Sequence, residues 1–72
     1  MRTHKKSFYD CIRIRAFDAG MPIKELLKKT GIAEATFYDH KNRKGWTQMD
    51  VARMHKYLHF TAEDLQIFAE GR

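Results

Sequence analysis

Between its few chain breakers this sequence repeats its apolar residues at one period only, that of a helix. Strand-like alternation is absent. Four Gly and one Pro punctuate 72 residues, so the helices must be short and the turns tight. A chain of this length folds as one domain with a small core. That leaves little volume for a catalytic cleft with its own supporting shell, and an enzyme is not expected. No Ser/His/Asp set, phosphate loop or paired carboxylate has a supporting context. No apolar stretch approaches the roughly 18 residues of a membrane span. Cys11 is the lone cysteine, which excludes an intrachain disulfide and points to a reducing, cytoplasmic setting.

Five helices are predicted. The first covers residues 7–19, with Phe8, Cys11, Ile12 and Ala16 at helical spacing and Gly20 as its cap. Ile14 and Phe17 lie beside that face. Pro22 suits the first turn of the second, where Glu25 and Lys29 form an i,i+4 pair. Gly31 breaks it and Ile32 follows as an apolar plug. The third covers residues 34–42 with Phe37 inward, followed by the basic turn Lys41-Asn42-Arg43-Lys44, Gly45 and Trp46. Thr47 with Asp50, and Thr61 with Asp64, start the fourth and fifth as variants of the capping box. Val51, Met54 and Leu58 face inward with His55 on the same side, and Leu65 and Phe68 do so in the fifth helix. The Met residues read as core filler and Trp46 as a lid under the basic turn.

Charge is distributed unevenly. Residues 1–46 carry eleven basic and five acidic side chains, and residues 47–72 carry three and four. The positive field belongs to the first two thirds, and a basic domain of this size meets an acidic partner, with nucleic acid the leading class. Residues 1–6, with Arg2, Lys5 and Lys6, form a basic arm, and residues 7–72 the folded domain.

Residues 22–43 carry the functional signal. Two short helices joined by a Gly-containing turn of about three residues make a helix-turn-helix. Gly31 is expected where the turn is too tight for a side chain. Ile32 and Phe37 pin the second helix of the pair, whose outer residues are then free to enter a major groove.

The run from Ile23-Lys24-Glu25-Leu26-Leu27 through Gly31-Ile32-Ala33 to Thr36-Phe37-Tyr38 resembles the helix-turn-helix of Cro/CI-type, lambda-repressor-like regulators. Residues 47–65 are similar to that family's fourth helix, loop and capped fifth helix. The resemblance covers about residues 12–68. It implies an all-α, compact five-helix domain that binds double-stranded DNA through its third helix and regulates transcription. It also implies a homodimer on a palindromic operator, with recognition helices about 34 Å apart. The less charged last third, around Phe68, is the expected dimer surface. This chain departs from the pattern at Ile23, where Gln is frequent, at Leu27, where a small residue is usual, and at Ala33, where Ser or Thr is usual. Residues 31–40 also resemble the recognition helix of TetR-type repressors, without the aromatic usual at position 41 and without the length for a ligand-binding domain.

The expected DNA-binding residues are Lys24, Glu34, Ala35, Thr36, Tyr38, Asp39, Lys41, Arg43 and Lys44. Glu34 and Asp39 can accept from cytosine N4. Alternatively, Asp39 pairs with Arg43 and Glu34 complements the helix N-terminus. Thr36 and Tyr38 can meet a phosphate or a thymine methyl. Lys24, Lys41, Arg43 and Lys44 suit phosphates, which need only reach and charge. A rival reading keeps the fold but turns the acidic face to a basic protein partner. His55 and His59 have metal-ligand spacing but no third ligand nearby, so no metal, cofactor or small-molecule ligand is expected.

Overall fold

The computed structural model describes residues 6–71, and Arg2 and Lys5 of the predicted arm lie outside them. Helix α1 spans Phe8–Asp18, α2 Ile23–Thr30, α3 Glu34–Asp39, α4 Gln48–Leu58 and α5 Ala62–Ala69. No strand occurs among the described residues, and none of their helices is long and apolar enough to cross a membrane. The all-helical, five-helix expectation therefore holds.

Three helices start on reciprocal caps. Ser7, Thr47 and Thr61 each accept the backbone N–H of an Asp three residues on, and Asp10, Asp50 and Asp64 accept the N–H of the cap in return. The Ser7–Asp10 pair has the same spacing as the two Thr–Asp pairs and went unread in the sequence. The core joins Phe8, Cys11 and Ile12 of α1 to Leu26 of α2, Phe37 of α3 and Met54 of α4, all fully buried. Phe8 gathers Phe60, Phe68 and Trp46 around it at centroid distances of 5.0, 5.3 and 6.2 Å.

Several inward assignments change. Leu65 is exposed and Ile67 is buried in its place. Asp64 is the reason: its carboxylate turns to α1, so the stripe of α5 that follows at i+3 and i+4 is Ile67 and Phe68, with Phe68 half-buried. His55 is exposed as well, on the flank of the Val51–Met54–Leu58 stripe. Its Nδ1 accepts the Phe60 N–H at 3.0 Å, which closes the end of α4. No group of three or more metal-ligating side chains occurs among the described residues. Met54 fills the core, but Met49 is exposed.

One buried polar group ties the ends of the chain together. Asp64 is 2% exposed and its Oδ2 lies 3.2 Å from Nε of Arg15. Burial alone would raise the Asp64 pKa. The Thr61 N–H, the Cys11 thiol and the Arg15 charge outweigh that and hold it below its ordinary value. The same burial and the adjacent carboxylate push the Cys11 thiol up to about 11.

Phe17 is an exception to the pattern of burial. It is 86% exposed, beside a groove of about 830 Å³ lined by Ile14, Met21 and Ile23 with Lys6 and Arg13 on its rim.

Candidate nucleic-acid interface

Helices α2 and α3 are joined by Gly31, Ile32 and Ala33. Gly31 adopts φ 77°, and its N–H bonds to Leu27 O at 2.9 Å, ending α2 in the left-handed conformation. Nothing lies within 4 Å of where its Cβ would be. The requirement for Gly is therefore the positive φ and not crowding, which corrects the expectation from sequence. Thr30 adds a second lock, its hydroxyl donating to Leu26 O at 2.9 Å. Ile32 is buried under the turn. Phe37 is fully buried, a side chain whose removal from water contributes about 1.5–3 kcal/mol. Its ring packs 5.1 Å from Trp46 and 6.2 Å from Tyr9.

With Phe37 inside, Glu34, Ala35 and Thr36 face solvent. Tyr38 and Asp39 are half-buried. Tyr38 stands edge-on to Phe37 at 5.0 Å. Lys24 is exposed at the start of α2. Ala33 is the N-cap of α3 and supplies no side-chain hydrogen bond. Ala33→Ser should stabilise the fold by about 0.5–2 kcal/mol, read as a raised denaturant midpoint at constant m-value. An unchanged midpoint would place the start of α3 elsewhere.

The sequence predicted that the third helix runs to residue 42 and then enters a basic turn. Instead the α-helical bonding stops at Asp39 and continues as one π-helical turn, His40–Lys44. The Gly45 N–H closes it on His40 O at 2.8 Å. Lys41, Arg43 and Lys44 are displayed on this turn, all exposed. Turns of this kind are rare and concentrate at functional sites.

The turn is held by contacts that sequence inspection missed. His40 Nδ1 lies 2.6 Å from Asp50 Oδ2, the same oxygen that accepts the Thr47 N–H. The start of α4 and the basic turn thus share one carboxylate. Lys41 Nζ sits 4.6 Å above the Tyr9 ring, a cation–π contact with α1. Both partners of the turn, Asp50 and Tyr9, come from other helices, so no local pattern announces these contacts. Arg43 and Lys44 approach Asp39 at 3.6 and 4.0 Å, so the expected alternative pairing of Asp39 with Arg43 is present.

Eight of the nine expected DNA-binding residues thus fall into two groups. Glu34, Ala35, Thr36, Tyr38 and Asp39 form α3 with Phe37, and Lys41, Arg43 and Lys44 follow directly on the turn. Lys24 stands apart on α2. Compared with family models, curated proteins and solved structures, the chain matches none of them.

Proposed function

We propose that the protein is a sequence-specific double-stranded DNA-binding transcriptional regulator of the Cro/CI type. In this reading α2 and α3 are its helix-turn-helix, α3 enters the major groove, and two copies act together as a homodimer. The observation that carries it is the pinned basic turn. Lys41, Arg43 and Lys44 leave the C-terminal end of a helix whose inner side is anchored by Phe37 and whose outer side is open. Phosphate contacts there would set the register, and Thr36, Tyr38 and the two carboxylates would face base edges.

A second reading treats the same fold as a protein-interaction module, with its acidic α3 face turned to a basic partner. The observation that favours a protein contact is the apolar groove beside the exposed Phe17, which is lined from α1 and the start of α2 and not from α3. Fluorescence anisotropy of a labelled duplex at low salt separates the two readings. Arg43→Ala and Lys44→Ala should weaken duplex binding and reduce the salt slope, as loss of phosphate contacts does. Thr36→Ala should instead change the preference among sequences. Unaltered affinity in the Arg43 and Lys44 variants would remove these phosphate contacts from the reading.

A further inference from the structure

The geometry points to Asp39 as a brake on indiscriminate DNA binding, a specificity-determining residue that acts by gathering Arg43 and Lys44 away from phosphate. This inference rests on the DNA-binding reading and assigns a role within that same interface.

The π turn is what makes the gathering possible. In an α-helix each residue steps about 100°, so the residue at i+4 returns over residue i while i+5 lies about 140° away. A π-helical turn bonds i to i+5 and brings both positions around. Here Arg43 Nη1 lies 3.6 Å from one carboxylate oxygen of Asp39 and Lys44 Nζ 4.0 Å from the other. The Asp39 side chain is 30% exposed, whereas those of Arg43 and Lys44 are 79% and 73% exposed. The carboxylate therefore stands where a phosphate would, between two cations that are otherwise free to reach outward.

Asp39 also occupies the outer side of α3, among the residues placed against base edges. A carboxylate only accepts hydrogen bonds, so among bases it is satisfied by an amino donor such as cytosine N4. On a sequence offering that donor, Asp39 exchanges its two cations for a base contact, and Arg43 and Lys44 pass to the phosphates. On any other sequence the cations must leave the carboxylate with nothing in return. The cost falls on every wrong site and is recovered at the right one, which is specificity by penalty as much as by attraction.

The test compares wild type, Asp39→Asn, and the Arg43→Ala, Lys44→Ala variant with and without Asp39→Asn, on a random-sequence duplex of about 20 base pairs and on a duplex enriched by wild type from a randomised pool. Asp39→Asn keeps the shape of the side chain, and unchanged thermal unfolding verifies that the fold survives. Its affinity for the random duplex should rise about three- to tenfold, the range that two exposed ion pairs allow. Its salt slope should steepen by up to about 0.9 for each cation released. The ratio of enriched to random affinity should fall. In the Arg43→Ala, Lys44→Ala background no cations are gathered, and Asp39→Asn should change random-duplex affinity less than about twofold. A random-duplex affinity that is unchanged or lowered in Asp39→Asn overturns the inference, as does an equal gain in the background that lacks Arg43 and Lys44. Wild type that fails to bind any duplex at low salt removes the DNA-binding reading itself, a result distinct from either.

Discussion

Asp64→Ala should cost about 3 kcal/mol, more than any surface change in the domain. Removing one member of a buried ion pair costs about 3–5 kcal/mol, because the charge left behind loses its partner in a poorly solvated site. The low end applies because Arg15 also reaches Asp18, at 3.2 Å, and is only partly buried. The substitution also removes the acceptor of the Thr61 N–H, one half of the α5 capping box, while the Thr61 hydroxyl still accepts the N–H of position 64. For a domain of this size the loss corresponds to a fall in Tm of roughly 12–24 °C. Asp64→Asn keeps an acceptor for the Thr61 N–H and should retain part of the difference. The pH dependence has a definite sign. The folded Asp64 pKa lies below its ordinary value of 3.8, so its contribution is fully present above the unfolded pKa. It is lost as pH falls from there through the folded value. The gap in denaturant midpoint between wild type and Asp64→Ala should therefore be constant from pH 7 to about pH 5 and narrow in more acid solution. Equal midpoints at pH 7 would show that the Arg15–Asp64 contact does not hold α1 to α5.

The affinity of the protein for duplex DNA should fall about a thousandfold between 50 and 200 mM salt. Lys24, Lys41, Arg43 and Lys44 supply four cations from each copy, and a dimer would place about six or more of them on phosphates. Each phosphate neutralised contributes about −0.9 to the slope of log affinity against log salt, so about six give roughly three decades over that range. Anisotropy titrations at several salt concentrations measure the slope directly. A flat response would mean that the basic turn does not lie on phosphate, and it would favour the protein-interaction reading.

How far the sequence could be read depended on the range of each interaction. Helical periodicity, Gly20, Gly31 and the Thr–Asp pairs are local, and they located all five helices to within a few residues. Phe37 and Ile32 were legible as core for the same reason. Leu65 and His55 were misplaced because a period identifies a stripe but not its exact centre. In α5 that centre was set by Arg15, some fifty residues earlier in the chain, and in α4 the His55 ring was drawn off by a backbone N–H. The π turn left no trace that could be read, since it depends on His40 finding Asp50 and Lys41 finding Tyr9 across helix boundaries. Within α3 and the turn after it, Phe37 inside, Glu34, Ala35 and Thr36 outside and the Asp39–Arg43 pair were therefore legible, and the joining of Lys44 to that pair by the π turn was not.

The capping pattern divides the molecule into two kinds of helix. Helices α1, α4 and α5 each begin with a reciprocal side-chain cap, whereas α2 and α3 have none. A helix of six residues such as α3 has no independent stability, since forming its first turn is unfavourable. It persists because Phe37 and Ile32 are seated in a core built largely by other elements. Its amides should consequently exchange with solvent at a lower opening free energy than those of α1 and α4. The same arrangement makes the outer positions of α3 evolutionarily inexpensive. Residues 34, 35 and 36 can be replaced with little effect on folding, because no cap or buried charge depends on them. On the DNA-binding reading, a scaffold arranged this way can be redirected to new sequences by changing its surface while the framework beneath stays constant.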